Sequence, residues 1–176
     1  MKATGVIRRI DNLGRFVIPK EIRKNLRIHE GENLEIYVDK EGNIILRKHS
    51  IMKKMNDLAS DFTDSIFSFI NHDVIITDRD KVIAVTGKKK KEYLNKTISD
   101  ELLISINRRE DMLETHKKPI KIIDETLDAT YALSTIVCNG DAVGIVIIFS
   151  EQEIINENDY KIVKITSKFL SKYLEE

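Results

Sequence analysis

The chain has 176 residues, of which 41% are hydrophobic and 33% are charged, and its 29 basic side chains balance its 29 acidic ones. This composition is typical of a globular protein with room for one domain or two small ones. The longest apolar stretch, residues 142–149, is far shorter than the roughly 20 residues of a membrane-spanning helix, so no such helix is predicted.

The cellular compartment is indicated by two features of the sequence. A single cysteine, Cys138, excludes an internal disulfide and is typical of a protein from a reducing compartment. The first residues lack the charged, apolar and small-residue regions of a secretory signal. We therefore expect a cytoplasmic protein.

Positive charge is concentrated at the start of the chain. Residues 1–27 contain eight basic side chains against two acidic ones, an excess of six positive charges. Such a cluster on a neutral protein indicates a polyanionic partner, with nucleic acid as the first candidate. A solvated charged surface without a partner is the alternative.

Four short strands and one short helix are predicted in the first 50 residues. The strands lie at 6–10, 15–18, 34–38 and 44–48, with turns at 11–14 and 39–43. Pro19 ends the second strand, and residues 20–26 form a helix of two turns. Because a unit this small rarely buries enough apolar surface alone, we expect two copies to share one core. Two-fold symmetry then presents the cations as paired patches.

A helical stripe of apolar residues follows within residues 50–71. Its members recur at spacings of three and four: Ile51, Met55, Leu58, Phe62, Ile66 and Phe69. Two interpretations remain open. The helix either packs on the domain that follows, or it joins subunits and couples the two halves of the chain.

Mixed helices and strands are predicted from residue 73 onward. Strands are predicted at 73–78, 82–87, 119–126, 130–138 and 143–150, and helices at 100–114 and from about 152 to 175. Asn139-Gly140 predicts a tight hairpin turn between the last two strands. This half is predicted to be an antiparallel sheet with helices before and after it, of a size to fold as one domain.

Two stretches of the sequence carry a resemblance to known families. Residues 4–28, with the turn Asp11-Asn12-Leu13-Gly14-Arg15 and Val17-Ile18-Pro19, are followed by a hairpin at 34–48 and resemble the DNA-binding domain of the AbrB family of bacterial transition-state regulators. Residues 78–99 and 139–150 are similar to the GAF-like domain of sporulation regulators from endospore-forming bacteria. The two resemblances together cover nearly the whole chain.

These resemblances imply a fold and an assembly. The expected domains are an all-β swapped-hairpin barrel with one short helix at 1–50, a helical linker or oligomerisation helix at 51–71, and an α+β GAF-like domain at 72–176. The hairpins of two subunits would interleave into a homodimer. Two dimers would associate into a homotetramer through helices and GAF-like domains.

The resemblance also implies a function and a set of DNA-contacting residues. The chain would bind double-stranded DNA and regulate transcription in the forespore, as activator or repressor. The residues that match the family's DNA contacts are Arg8, Arg15, Arg23 and Lys24. Lys2, Arg9, Lys20 and Arg27 are added from their charge alone. We expect phosphate contacts to supply most of the affinity, and a few arginines together with DNA shape to supply specificity.

Other signals in the sequence favour ordinary structural roles. The run Lys88–Lys91 is interpreted as a mobile, solvated loop, and Asp78-Arg79-Asp80 as turn chemistry. Cys138 is expected to be a buried small hydrophobic residue. The four histidines lack the spacing of a metal site. No phosphate-binding loop, serine-hydrolase motif or dinucleotide fingerprint is present, so neither an enzyme nor a known cofactor is predicted.

The role of the second half stays open between two interpretations. A GAF-like domain either holds an unidentified small molecule and signals through the helix at 50–71, or serves oligomerisation alone. An antitoxin is the rival function for the whole chain, because short AbrB-like barrels also occur in toxin–antitoxin modules, where a disordered tail wraps the toxin. The strand-rich second half argues against that rival.

Overall fold

Residues 5–49 and 55–175 are described by the computed structural model, in which the chain divides into two units, Met1–His49 and Ser50–Glu176. The second unit therefore contains the helix that was predicted as a separate segment at 51–71. Ile51, the first residue of the predicted stripe, lies outside the described residues. The mixed fold class is confirmed: a small β unit with one short helix is followed by an α+β unit.

The first unit contains one short helix and one β-hairpin. Helix α1 spans Lys20–Asn25, and strands β1 (Leu34–Val38) and β2 (Ile44–Lys48) pair antiparallel, with Ile36 opposite Leu46. Gly42 closes the turn between these strands at φ 82, a backbone conformation that glycine adopts without steric cost. The predicted positions of this helix and hairpin are confirmed.

The strands predicted at 6–10 and 15–18 are absent from the single chain. Residues 5–11 and 15–19 have no strand assignment, although the amide of Asp11 donates to the carbonyl of Arg15 at 3.0 Å and closes a turn between them. An isolated two-stranded ribbon is marginal in water, and a single chain offers this ribbon no further strand. The prediction of four strands is therefore wrong for one copy of the chain.

The second unit is built on a five-stranded antiparallel sheet in the order β4-β3-β7-β6-β5. Its strands are β3 (Asp73–Asp78), β4 (Val82–Thr86), β5 (Asp111–Lys121), β6 (Thr126–Cys138) and β7 (Asp141–Ser150). Its helices are α2 (Asn56–Ile70), α3 (Lys90–Tyr93), α4 (Asp100–Asn107) and α5 (Glu157–Glu175). Among the described residues, no helix is long and apolar enough to cross a membrane.

Each face of this sheet carries its own apolar core. On one face, α3 and α4 bring Tyr93, Leu102 and Ile106 against Ile147 and neighbouring strand residues. On the other face, α2 and α5 bring buried side chains against the alternate strand positions: Met55, Ala59, Ile66, Val163 and Leu170. Because successive strand residues point to opposite faces, the continuous apolar run of β7 serves both cores.

Helix α2 packs on its own unit through most of the predicted stripe. Met55 and Ile66 are buried, and Leu58 and Phe62 pack against the same core. Phe69 departs from this pattern, because 90% of its surface is exposed. The helix therefore packs on the following domain, and it also leaves one aromatic side chain uncovered.

The helix predicted at 100–114 ends at Asn107. Arg109 takes the left-handed conformation at φ 56, and its amide donates to Ile106 while that of Glu110 donates to Ser105, at 3.0 and 3.1 Å. These two bonds form a Schellman motif, which satisfies the last carbonyls of a helix and terminates it. Residues 111–114 instead begin strand β5, so that part of the prediction is wrong.

Other boundaries differ from the predictions by a few residues. Strand β5 ends at Lys121, short of the predicted 126, and β6 begins at Thr126, earlier than predicted. Helix α5 begins at Glu157 because the side chain of Asp159 accepts the amide of Asn156 at 2.8 Å, which caps the helix at that point. The Asn139-Gly140 turn is confirmed, with both residues at positive φ.

One glycine allows close approach of two strands. A Cβ atom added to Gly144 in β7 would lie 2.0 Å from the carbonyl oxygen of Thr77 in β3, a distance that no side chain can adopt. The neighbouring strands β3 and β7 therefore need glycine at this position.

Candidate nucleic-acid interface

The turn at residues 11–15 is organised by one carboxylate. Oδ1 of Asp11 accepts the amides of Leu13 and Arg15, both at 2.9 Å, and Oδ2 accepts Nε of Arg15 at 2.9 Å. Gly14 completes the turn at φ 76. The backbone amide and the guanidinium of Arg15 are the main groups that hold the pKa of Asp11 below its usual value, so this carboxylate is charged at neutral pH.

Arg15 extends from this turn into solvent. Its side chain is 71% exposed, and Asp11 is its ion-pair partner in the turn. Arg8 and Arg9, on the segment that precedes the turn, are also exposed, and Nη1 of Arg8 donates to the carbonyl of Ile7 at 3.0 Å. The segment therefore presents three guanidinium groups to solvent within eight residues.

Helix α1 carries the other predicted cations. It begins after Pro19, whose fixed φ suits a helix start, and ends in a Schellman motif in which Arg27 takes the left-handed conformation at φ 51. The amide of Ile28 donates to the carbonyl of Arg23 at 2.8 Å, and that of Arg27 to the carbonyl of Lys24 at 3.1 Å. These contacts fix the helix end directly before the hairpin.

The exposure of the predicted DNA contacts separates them into groups. Arg8, Arg9, Arg15, Lys20 and Lys24 are exposed, whereas Arg23 and Arg27 are half-buried. Lys2 lies outside the described residues.

Arg27 has a structural role besides its charge. It occupies the left-handed cap of α1, and its carbonyl accepts Nζ of Lys48 at 2.7 Å, which ties the helix end to strand β2.

Sequence reasoning placed Asp11 in the turn but missed its role as the side chain that holds Arg15. The signal that identifies it is a repeated pattern, because residues 11–15 and 39–43 both read Asp, two variable residues, Gly and a polar residue. Oδ1 of Asp39 likewise accepts the amides of Glu41 and Asn43, both at 2.9 Å. An aspartate that organises a turn in this way is recognisable from its spacing to the glycine.

The second unit contains a groove that is a candidate ligand site. Its cavity volume is about 640 Å³, and its charged lining residues are Lys91, Glu92, Lys96, Asp124 and Glu125. Tyr93 follows Glu92 in the chain but does not line this groove: it is completely buried in the apolar core, and its hydroxyl has no hydrogen-bond partner among the described residues. Burial raises the pKa of this hydroxyl, and the carboxylates of Glu125, Glu151, Glu92 and Asp73 raise it further. A buried donor without a partner is a group that a bound molecule or water can satisfy.

The lysine run at 88–91 is more ordered than predicted. Lys90 and Lys91 begin helix α3, and Nζ of Lys89 lies 3.3 Å from a carboxylate oxygen of Glu92 and 3.5 Å from one of Glu151. The prediction of a mobile solvated loop is therefore wrong for Lys89, whose ion pairs join α3 to the end of the sheet.

Two other structural predictions are confirmed. Oδ1 of Asp78 accepts the amides of Asp80 and Lys81, both at 2.7 Å, as expected for turn chemistry. Cys138 is buried with a free thiol, and burial raises the pKa of that thiol.

Comparison with known proteins finds a matching family model for each unit. Residues 54–175 match the family model described as "Stage V sporulation protein T C-terminal, transcription factor". Residues 7–54 match the model described as "Antidote-toxin recognition MazE, bacterial antitoxin".

Relatives and solved structures agree with this division. The chain is 45% identical to stage V sporulation protein T of Bacillus subtilis (strain 168) over 179 aligned residues, which cover 100% of both chains. Over 49 residues it is 57% identical to the transition state regulatory protein AbrB of the same organism, covering 28% of this chain and 50% of AbrB. The fold is similar to the cofactor-binding GAF domain of the nutrient sensor CodY from Clostridium difficile, with a TM-score of 0.50, 16% identity, and coverage of 70% of this chain and 90% of that one.

These findings confirm the resemblance to AbrB in the first unit and the GAF-like fold of the second. The full-length match and the family model over residues 54–175 lead to one conclusion: the chain belongs to the stage V sporulation protein T family of transcription factors.

Proposed function

We propose that this protein regulates sporulation genes in the forespore by binding duplex DNA through the first units of two copies of the chain. The observation that carries the proposal is the surface of residues 5–49, where exposed arginines and lysines stand beside exposed apolar side chains. A basic surface indicates a polyanion as partner, and uncovered apolar residues indicate a second protein surface. A symmetric dimer bound to DNA would provide the polyanion for the basic surface and a second protein surface for the apolar side chains.

The dimer is argued from burial. None of the residues 5–49 is buried in one copy of the chain. Eleven of the large apolar side chains in this range are exposed, and the others are half-buried. The exposed ones are Val6, Ile7, Ile10, Leu13, Phe16, Val17, Leu26, Ile36, Tyr37, Val38 and Ile44. Interleaving two copies gives the segments at 6–10 and 15–18 the strand partners that a single chain lacks, and it covers these residues.

The DNA contacts are argued from charge and exposure. Arg8, Arg15 and Lys24 are exposed and Arg23 is half-buried, and a two-fold axis doubles each of them. Lysines and arginines that neutralise phosphates make the affinity fall steeply with salt. Arginine also reads guanine through two parallel hydrogen bonds, which supplies sequence preference.

The second unit is proposed to join two dimers into a tetramer. Its helices α2 and α5 expose aromatic side chains, because Phe69 is uncovered and Phe169 and Tyr173 are about half exposed. The ring of Phe169 lies 5.0 Å from that of Phe62 and 6.4 Å from that of Tyr173, so these three rings form one patch across the two helices, and Phe69 adds an exposed ring elsewhere on α2. Association of this patch with a second copy would give the multivalency that strengthens binding to DNA.

A small-molecule ligand of the groove is the sensory part of the proposal, with a purely oligomerising second unit as its alternative. The mixed charges of the groove favour a polar ligand. A thermal-shift screen of amino acids, nucleotides and dicarboxylates on wild type and Lys96→Ala, which changes a residue that lines the groove, is the test. A melting temperature that rises in wild type and less in the variant supports sensing, and no rise with any compound favours oligomerisation alone.

The whole proposal is tested by fluorescence anisotropy of the full chain on duplex DNA across a salt series. We expect salt-steep binding that is tighter for a site selected from a random pool than for a shuffled sequence. Arg15→Ala should weaken binding to the selected site by about 1–3 kcal/mol and leave the fold intact. Absence of binding at low salt would show that the basic end contacts a protein instead.

An antitoxin is the second candidate, favoured by the match of residues 7–54 to the MazE model. Antitoxins of this kind wrap their toxin with a disordered tail, whereas residues 55–175 of this chain form an ordered unit. Copurification of a small toxin with the tagged protein from its native host would support this candidate, and its absence would favour the regulator.

A further inference from the structure

Among the described residues, the turn at 11–15 holds the side chain of Arg15 through one nitrogen, Nε. Nε of Arg15 bonds Oδ2 of Asp11 at 2.9 Å, while Oδ1 of Asp11 is engaged by the amides of Leu13 and Arg15. Asp11 is itself fixed, because its amide donates to the carbonyl of Arg15 at 3.0 Å and its carbonyl accepts Gly14 at 3.1 Å. The turn therefore fixes the position of the Asp11 carboxylate, and this carboxylate orients the guanidinium of Arg15.

The contact through Nε leaves the two Nη groups of Arg15 available. Within the described residues, no other polar group contacts the Arg15 side chain, which is 71% exposed. A guanidinium carries five N–H donors in a planar fork, and its Nη groups can bond O6 and N7 of guanine together. Exposed ion pairs add little to stability, so the consequence of this pair is the orientation of the fork rather than the fold.

The chain contains a second turn that shows what Arg15 adds. In residues 39–43, Oδ1 of Asp39 accepts the amides of Glu41 and Asn43, and Oδ2 accepts Nδ2 of Asn43, each at 2.9 Å. The backbone hydrogen bonds follow the same pattern. The amide of Asp39 donates to the carbonyl of Asn43, and the amide of Gly42 donates to the carbonyl of Asp39, both at 3.1 Å. The turn thus forms equally with asparagine in the fifth position, so turn geometry alone does not require an arginine at 15.

We propose that Asp11 is a positioning residue for DNA recognition, holding Arg15 through Nε so that its two Nη groups meet a base edge together. The inference rests on the proposed function, in which Arg15 contacts DNA. In that complex, the negative charge of Asp11 would also repel the DNA phosphates, which lowers the affinity for DNA of any sequence. The expected effect of Asp11 is therefore on the ratio of specific to non-specific affinity.

The test compares Asp11→Asn with Asp39→Asn in the full-length protein. Asparagine keeps an oxygen that accepts the two turn amides, but it removes the anion from Nε of Arg15. We expect Asp11→Asn to lower affinity for the selected site about tenfold, on the scale of one lost base contact, and to leave affinity for shuffled DNA unchanged or higher. Asp39→Asn, the matched control, should change neither affinity, and melting temperatures establish that both variants are folded.

Arg15 variants separate positioning from a general loss of structure. In an Arg15→Ala background, Asp11→Asn should no longer change the specificity ratio, because the group that it orients is absent. Arg15→Lys keeps the charge without the planar fork, so it should lose specificity and retain most of its affinity for shuffled DNA. This second variant keeps the inference testable if Asp11→Asn fails to fold.

Several outcomes would overturn the inference. These are an unchanged specificity ratio in Asp11→Asn, an equal fall in Asp39→Asn, or the same fall in the Arg15→Ala background. Each of these outcomes counts against the inference when wild type binds DNA with a steep salt dependence. Wild type without such binding would instead refute the proposed function, and the inference with it.

Discussion

The two units of the chain differ in where their apolar side chains find cover. The second unit buries residues on both faces of a five-stranded sheet, between α3 and α4 on one side and α2 and α5 on the other. The first unit buries none of its described residues, and Ile7, for instance, is 90% exposed. One region thus has a core within a single copy, whereas the other has no buried residue among those described. The proposed dimer would supply the missing core from two copies of the chain.

The largest effect is expected from a charge placed on the exposed hairpin face. Ile36 is 69% exposed in one copy, so Ile36→Asp would cost little if the first unit acted alone. In the proposed dimer the carboxylate is buried without a partner, which costs several kcal/mol, and binding to DNA should fall by at least about 100-fold. DNA affinity and the melting profile measure this, with the second unit unfolding as in wild type. Lys40→Asp, in the exposed turn of the same hairpin, is the control, and equal effects of both variants would contradict the dimer.

The second unit is tested by adding one methyl group. Gly144→Ala places a Cβ 2.0 Å from the carbonyl oxygen of Thr77, so strands β3 and β7 must separate locally. We expect a loss of about 3 kcal/mol in the free energy of unfolding of this unit, measured by urea denaturation. Gly140→Ala in the hairpin turn, where no atom lies within 4 Å, isolates the cost of positive φ and should cost about 1 kcal/mol. A smaller loss for Gly144→Ala than for Gly140→Ala would show that the sheet yields at this point.

A smaller effect of opposite sign is expected at the end of α1. Arg27 holds the left-handed conformation at φ 51, which glycine adopts without steric cost. Arg27→Gly should stabilise the first unit by at most about 1 kcal/mol, seen as a higher urea midpoint at fixed protein concentration. The same variant measures what the Arg27 charge adds to DNA affinity. Destabilisation would show that contacts of the side chain outweigh the backbone strain.

The smallest effect is a pH-dependent one in the second unit. Burial raises the pKa of the Asp78 carboxyl above its ordinary value, and the amides of Lys81 and Asp80 offset this in part. Folding then favours the protonated form, so this group lowers stability as pH rises from below its ordinary pKa through the raised one. Asp78→Asn, which can still accept the turn amides, should raise the melting temperature at pH 7 and not at pH 3. A gain that is equal at both pH values would contradict burial as the cause.

How far the sequence predicts the fold depends on whether the signal is local. Turns at 11–15, 39–43 and Asn139-Gly140 are local, because an aspartate or asparagine and a glycine at fixed spacing determine them, and each is present. The end of α4 is less visible, since Met112 and Leu113 continue a helical pattern while Arg109, a residue without a strong left-handed preference, closes the helix. Tertiary pairing with β6 then decides the strand at 111–114.

For the candidate site as well, the sequence shows the charges but not the contacts between side chains. Charge and the family resemblance predict Arg8, Arg15, Arg23 and Lys24 as DNA contacts, which stays a prediction, and they do not show which arginine is held in place. The contact between Nε of Arg15 and the carboxylate of Asp11 shows which arginine is held. A count of charges in the sequence records Asp11 only as one negative charge. The sequence also does not predict the groove of the second unit, because its lining residues, within 91–97 and 123–125, come together only in the folded chain.

The absence of buried residues in the first unit also has a consequence for how the protein is made. Synthesis delivers the N-terminal residues first, and these are the ones that have no core of their own. In the proposed dimer, the nascent first unit would keep its apolar side chains exposed until a second chain pairs with it. Two ribosomes following each other on one messenger RNA would provide that chain at the right place, so we expect subunits to pair with copies translated from the same transcript.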